Sequence, residues 1–161
     1  MKKAALLVLS LGLFTSLPAS SQEPGHEGHT MVLPNKVEWK DAPAALPSGA
    51  KAAVLEGDPT KPGPFTLRIK MPKGYKIPPH THPAIEHVTV VQGSLQMGLG
   101  DKWDDKAMTD IPVGGFAVMQ IGTKHFAGSK GGATVQIHGI GPWGITYVNP
   151  ADDPRNKAAQ K

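Results

Sequence analysis

The chain has 161 residues, with 19 Gly, 16 Pro, no Cys and a formal net charge of +4. Gly and Pro together exceed a fifth of the chain and leave little room for long helices, whereas 39% hydrophobic and 19% charged residues argue against a disordered polypeptide. These proportions predict one small, turn-rich β domain.

The first 21 residues have the pattern of a secretory signal peptide. A short basic segment, Met1–Lys3, precedes an apolar run from Ala4 to Leu17. The small residues Ala19 and Ser21 then occupy the −3 and −1 positions of a signal-peptidase cleavage site. The run is shorter than the roughly 20 residues that cross a bilayer. We therefore expect a periplasmic or secreted protein that has no membrane association once the signal peptide is removed.

Removal of residues 1–21 also changes the charge balance. Loss of Lys2 and Lys3 leaves 15 basic and 13 acidic residues, and no cluster of Lys or Arg remains. Nucleic acid is therefore not an expected partner. Because the chain has no Cys, it forms no disulfide, and any bound metal must be held by nitrogen and oxygen.

The remaining chain divides into a polar leader (22–36), a domain (37–148) and a polar tail (149–161). His26 and His29 in the leader either capture metal weakly or are simply solvated, and the tail is either a short turn of surface helix or a frayed end. Turn signals separate ten β-like runs, at residues 36–39, 52–56, 65–70, 77–82, 86–92, 94–99, 116–120, 125–127, 133–138 and 145–148. This regular spacing predicts an all-β sandwich or barrel.

Residues 74–93, GYKIPPHTHPAIEHVTVVQG, carry most of the functional signal. His80 and His82 are two residues apart on an extended run, so their imidazoles point to the same face. Pro83 ends that strand, and Glu86 starts the next one, from which its carboxylate can point back at the two rings. We expect Gly93 to close the second strand at a tight turn.

This spacing resembles the first motif of the cupin superfamily, with Gly74, His80, His82, Glu86 and Gly93 at the matching positions. A second cupin motif follows, in which Gly114, Gly122 and His125 match. Two positions depart from the second motif and affect only its turns: Gln120 replaces Pro, and Ser129 replaces Asn.

The resemblance implies a single-domain, jelly-roll β-barrel (a double-stranded β-helix) in which His80, His82, Glu86 and His125 are metal ligands. Three imidazoles and one carboxylate suit one divalent first-row transition metal (Fe, Mn, Zn, Ni or Cu) and leave one or two coordination positions open for water or substrate. The alternatives are a cupin that retains these residues without metal, or a set of hydrogen-bonded core histidines.

Other residues near the motifs have less certain roles. His87 should face away from Glu86 and serve packing. His138 lies on the polar face of its strand, which either meets solvent or lines the barrel interior, where His138 would be a candidate catalytic acid or base. Trp143 either covers the pocket or anchors the core or a dimer contact. Trp103 is expected to cover a sheet edge, and three residues are expected to pack the barrel: Phe116, Val118 and Met119.

Two functions are compatible with these residues. The resemblance allows a metal-dependent enzyme acting on a small molecule, with oxygenase-, decarboxylase- or isomerase-type chemistry. The alternative is a non-catalytic envelope module that holds a metal or a small acidic ligand. A homodimer is expected, because open barrel edges are commonly paired.

Overall fold

The computed structural model describes residues 28–158 and consists mainly of β-strands. Its ten strands are β1 (Lys40–Asp41), β2 (Lys51–Glu56), β3 (Gly63–Met71), β4 (Tyr75–Thr81), β5 (Glu86–Leu99), β6 (Thr109–Pro112), β7 (Phe116–Met119), β8 (His125–Ser129), β9 (Ala133–Gly141) and β10 (Thr146–Tyr147). The helices in this part of the chain are short: 3-10 turns at Pro34–Lys36, Asp105–Ala107 and Pro150–Asp152, and α1 (Pro154–Ala158). Among residues 28–158, no helix has the length and apolar character needed to cross a membrane.

The strands form one curled antiparallel sheet in the order β1-β2-β3-β9-β5-β8-β4-β10, with β6 and β7 also paired to β5. The first half of β5 pairs with β9 and β7, and its second half pairs with β8 and β6. Strand β5 therefore joins the two halves of the sheet, which curl around a shared interior. The architecture is all-β and of the jelly-roll type, as the sequence predicts.

Gly93 lies where β5 passes from one half of the sheet to the other. The expected tight turn at Gly93 does not form, and the strand continues to Leu99. Gly93 instead has a φ of 72°, and a Cβ there would overlap the carbonyl oxygen of Gly132 on the neighbouring strand connection. Only glycine combines this backbone conformation with so close an approach.

The core lies inside the curl and follows from strict alternation along the strands. In β3, Phe65, Leu67, Ile69 and Met71 are buried while the residues between them are more exposed. Of the three residues expected to pack the barrel from β7, only Met119 is buried, whereas Phe116 and Val118 are 55% and 37% exposed. The correction follows from alternation: Ala117 and Met119 face the core, so Phe116 and Val118 point outward, where the Phe116 ring lies 6.1 Å from that of His87.

Several element boundaries also differ from the sequence-based expectation. Residues 36–39 form no strand: a 3-10 turn ends at Lys36, and the first strand begins at Lys40. Two tyrosines hold the segment that follows, because Tyr75 and Tyr147 donate hydrogen bonds to the carbonyls of Pro47 and Ala45. The tail forms a 3-10 turn and α1 as far as residue 158. The signal peptide and His26 lie outside the described residues.

Trp103 packs on the face of the second half of the sheet, over β8, and not on an edge strand as expected. Its ring lies 5.2 Å from that of the fully buried Phe126, and the Lys76 ammonium sits 4.6 Å from the Trp103 ring centroid. A lysine on an aromatic face shields the ring from water while keeping its own charge hydrated.

Candidate metal centre

Three strands bring four titratable residues together at one end of the curl. His80 lies near the end of β4, His82 follows directly after it, Glu86 begins β5 and His125 begins β8. His80 pairs with His125 across β4 and β8. The register shifts between Ile77 and His80, where two prolines lack the N–H groups that a regular ladder needs.

The four side chains converge deep in the protein. The exposed fractions of His80, His82, Glu86 and His125 are 3%, 4%, 4% and 1%. One ligand atom from each of the three histidines lies within 4.8 Å of the others. The Oε2 atom of Glu86 is 3.4 Å from His82 Nε2 and 3.6 Å from His125 Nε2.

A backbone carbonyl orients each histidine ring. The Nδ1 atoms of His80, His82 and His125 lie 2.7, 2.6 and 3.0 Å from the carbonyl oxygens of Pro78, Gly144 and Thr123. A carbonyl only accepts hydrogen bonds, so each Nδ1 carries the proton and the Nε2 of a neutral ring presents its lone pair. In all three residues the backbone therefore selects the tautomer that a metal ligand needs.

The pKa values of three residues of the cluster are shifted, and not all in the same direction. Burial, reinforced by His125 and His82, lowers the pKa of His80 to about 3. Burial also opposes charge on His82, but the contact with Glu86 outweighs it and raises the His82 pKa. Glu86 is buried too, yet the closeness of its carboxylate to His125 and His82 lowers its pKa to about 2. The site therefore keeps a carboxylate in its charged form beside neutral imidazole.

Trp143 covers this cluster. Its ring stacks on the His82 ring with centroids 4.8 Å apart and an interplanar angle of 20°, and its other neighbour is Phe65 at 5.9 Å. The Trp143 backbone N–H donates to the Pro59 carbonyl at 2.6 Å. The carbonyl of the next residue, Gly144, accepts the hydrogen bond from His82 Nδ1. One short loop therefore both orients and covers the His82 ring. Two of the expected alternatives therefore hold together: Trp143 covers the cluster and packs against the core.

A small cavity of about 40 Å³ adjoins the cluster on the interior side. His80, Glu86 and His125 form its polar wall. The rest of the wall is apolar and comes from β3, β4, β5, β8 and β9: Ile69, Met71, Ile77, Val88, Leu95, Met97, Ala127, Val135 and Ile137.

His87 and His138 lie apart from the cluster, on the outer face of the sheet. They pair across β5 and β9, and their rings stack 4.9 Å apart at 13°. Both line a separate, mainly apolar groove of about 730 Å³. The outward position of His87 matches the alternation from Glu86. His138 does not line the interior cavity, because its neighbour Ile137 takes the inward position. Of the two positions expected for the polar face of this strand, His138 therefore takes the outer one.

The comparisons with known proteins agree with this arrangement. The family model described as "Domain of unknown function (DUF4437)" matches residues 30–154. The chain belongs to this cupin-like family. Among the curated proteins, none matches the chain.

Solved structures of several cupin-type proteins share the fold. The polyketide cyclase RemF from Streptomyces resistomycificus has a TM-score of 0.66 at 14% identity, over 82% of this chain and 94% of that chain. A putative acetylacetone dioxygenase from Methylibium petroleiphilum has a TM-score of 0.60 at 20% identity, over 79% and 85%. An RmlC-like cupin from Shewanella frigidimarina has a TM-score of 0.54 at 15% identity, over 70% and 91%. At these identities the likeness establishes the cupin fold alone.

The donor set of this cupin fits a divalent metal ion. His82 Nε2 is buried without a hydrogen-bond partner, and it faces a carboxylate whose low pKa keeps it charged. A cation at this point would accept the imidazole lone pairs and balance the carboxylate charge, which apolar surroundings otherwise make costly. The three-histidine cluster could therefore hold a metal.

Sequence reasoning missed two parts of the site. The first is the Gly144 carbonyl, which lies 62 positions from His82 and carries no side-chain signal. The second is the apolar wall of the cavity. Leu95 and Met97 alternate with polar or small residues along β5, and this alternation is a signal that would have placed them inside the curl.

Proposed function

We propose that the protein is an exported metal-binding cupin that acts on a small molecule. His80, His82, Glu86 and His125 hold one divalent first-row transition metal, with Fe, Mn, Zn, Ni and Cu all compatible with nitrogen and oxygen ligands. The observation that carries the proposal is the shared tautomer of three buried histidines, whose Nδ1 atoms all face backbone carbonyls.

Each residue of the site has a defined task. The carbonyls of Pro78, Gly144 and Thr123 hold the rings, Glu86 supplies the negative charge, and Trp143 shields one side of the cluster from water. When bound, the metal supplies Lewis-acid or redox chemistry at its open position. Electrostatic interactions are strong here because water is excluded.

The interior favours oxygenase-type chemistry over decarboxylase- or isomerase-type chemistry. The polar groups that line the interior cavity are His80, Glu86 and His125, so the described residues offer no acid or base there beyond the ligands themselves. Decarboxylation and isomerisation need a proton donor or acceptor at the reacting carbon. A role for His138 in proton transfer stays a prediction.

A non-catalytic envelope module is the second candidate. It would hold a metal, or a small acidic ligand at that metal, for storage, sensing or delivery. The near-complete burial of the cluster and the missing acid or base in the described interior favour this reading. Steady turnover by metal-loaded protein in an aerobic and anaerobic substrate panel would support the enzyme, whereas stoichiometric binding without turnover would support the module.

Elemental analysis of protein purified from its native compartment tests the metal. We expect close to one first-row transition metal per chain, with the metal removed by chelator and restored by reloading. A protein that arrives metal-free and refuses every candidate ion would contradict the ligand assignment.

Export and assembly are parts of the same proposal. The mass of the mature protein should correspond to cleavage after residue 21, and the protein should be recovered from the envelope or medium. The exposed Phe116 and Val118 on β7 support a homodimer, because apolar side chains on an edge strand favour pairing with a second copy. Light scattering on the purified protein measures this directly.

A further inference from the structure

The space available beside the metal ligands is very small. The cavity that His80, Glu86 and His125 share with the core measures about 40 Å³. A single water needs on the order of 10–15 Å³ of such volume, so the cavity holds about three waters at most. A diatomic molecule fits within this volume, whereas a diketone, a catechol or a sugar acid does not.

The chemistry of the cavity wall restricts its occupant further. Apart from the three ligands, every lining side chain is apolar, including Leu95, Met97 and Val135. No hydrogen-bond donor or acceptor lies on that wall to bind the carboxylate or hydroxyl groups of an organic substrate, and burying such groups unpaired is costly. The wall therefore suits a neutral, weakly polar occupant.

The opposite side of the cluster is closed as well. Trp143 stacks on His82, and none of the four ligand residues is more than 4% exposed. Two hydrogen bonds hold the loop that carries Trp143. The Trp143 backbone N–H donates to the Pro59 carbonyl, and the Gly144 carbonyl accepts from His82 Nδ1. A large molecule thus has no approach to the cluster from the loop side without displacing Trp143.

We infer that this metal site accepts only neutral ligands of two or three heavy atoms, of the size of dioxygen or nitric oxide, and that larger organic molecules do not enter the barrel. The inference rests on the proposed metal site and narrows its substrate class from small organic molecules to dioxygen or a molecule of that size. Leu95 is a specificity-determining residue, because its side chain fills the space that a larger ligand would need.

The test uses the full mature chain loaded with Fe²⁺ under anaerobic conditions, after elemental analysis has shown that iron is bound. Nitric oxide is the small probe, read by the paramagnetic signal it gives with ferrous iron. Acetylacetone is the large probe, read by its charge-transfer absorption with iron and by its competition with nitric oxide. We expect wild-type protein to give the full nitric oxide signal and to leave it unchanged under an excess of acetylacetone.

Leu95→Ala is the enlarging variant, and Leu46→Ala is its matched control. Both residues are buried leucines of the core, but only Leu95 lines the cavity. Leu95→Ala should strengthen acetylacetone binding by about tenfold or more, because an apolar cavity of larger volume binds small organic molecules. Leu46→Ala should behave as wild type. Val135→Ala is the milder enlargement if Leu95→Ala does not fold.

Metal loading tests the proposed metal site, and the binding of the two probes tests the size limit. Failure to load any iron or other first-row metal overturns the proposed function. Loaded wild-type protein that binds acetylacetone as readily as nitric oxide, or that excludes nitric oxide too, overturns the inference alone. Equal acetylacetone binding by Leu95→Ala and Leu46→Ala overturns the role of Leu95.

Discussion

At the scale of single residues, three histidines with the same tautomer distinguish this cluster from an ordinary set of core histidines. Each donates from Nδ1 to a carbonyl and turns its Nε2 inward, while His87 and His138, on the outer face, stack on each other instead. His82 Nε2 has no hydrogen-bond partner and lies 3.4 Å from the charged carboxylate of Glu86, an arrangement that a bound cation would complete. The orientation of the rings thus allows the cluster to hold a metal.

Removing one ligand should therefore weaken metal binding strongly. We expect His80→Ala or His125→Ala to lower metal affinity by about tenfold or more, because each deletes a donor from a buried set. Competition with a chromogenic chelator measures the affinity. His87→Ala is the control, since His87 lies on the outer face, and an equal loss in that variant would argue against the assignment.

Trp143 should control how long the metal stays bound. An aromatic pair contributes about 0.5–1.5 kcal/mol beyond its buried area, so Trp143→Leu should release the metal to chelator roughly threefold to tenfold faster. The release rate after addition of excess chelator gives this value. Trp103→Leu removes a tryptophan that packs on Phe126, away from the cluster, and should leave the rate unchanged.

At the scale of elements, β5 is the strand on which the site depends. Its first half carries Glu86 and its second half carries Leu95 and Met97, so one continuous strand supplies both a ligand and the wall of the cavity. The bend at Gly93 turns both halves toward the same interior. A tight turn at Gly93 would have produced two separate strands and a different relation between ligand and wall.

Substitution at this bend should be costly. Gly93→Ala places a Cβ at a φ of 72° and against the Gly132 carbonyl, so we expect a loss of at least about 2 kcal/mol in the free energy of unfolding. Gly131→Ala is the matched control, because its Cβ would meet no atom within 4 Å. Urea denaturation of both variants measures the two free energies of unfolding. Similar losses would show that the bend does not require glycine at position 93.

At the scale of the whole molecule, burial of the cluster links stability to pH. Folded His80 stays neutral because its pKa is lowered from 6.5 to about 3, whereas the unfolded chain takes up this proton near pH 6.5. The unfolded state thus binds more protons between these values, and stability falls as the pH falls. Glu86 adds a further loss below about pH 4.5, and the raised pKa of His82 offsets part of both.

We expect His80 to lower the unfolding free energy of the metal-free protein by about 2 kcal/mol between pH 7 and pH 5, since one pKa unit corresponds to about 1.4 kcal/mol. The raised pKa of His82 makes the net loss smaller. Urea titrations at several pH values measure this slope. His80→Gln should lose this contribution, and His87→Gln should retain it. Equal slopes for His80→Gln and wild type would mean that His80 is not buried as the structure has it.

Much of the site was predictable because its chemistry depends on local spacing. His80, His82 and Glu86 lie within seven residues of one another, and strand geometry alone places the two imidazoles on one face. His125 needed the family pattern, since its distance along the chain contains no information about proximity. The run at residues 65–70 was likewise predicted to be a strand from its local pattern, and it lies within β3.

The amino-acid sequence thus determined the all-β class, the strand spacing and the residues of the candidate metal site. These properties arise from local backbone geometry and residue chemistry. Only the tertiary structure decided that His138 faces outward, that Phe116 is exposed, that Trp143 lies on His82, and that the interior space is about 40 Å³. Each of these depends on which strands pair and how tightly the sheet curls. Pairing and curvature are set by contacts between residues far apart in the chain, and no local pattern records them.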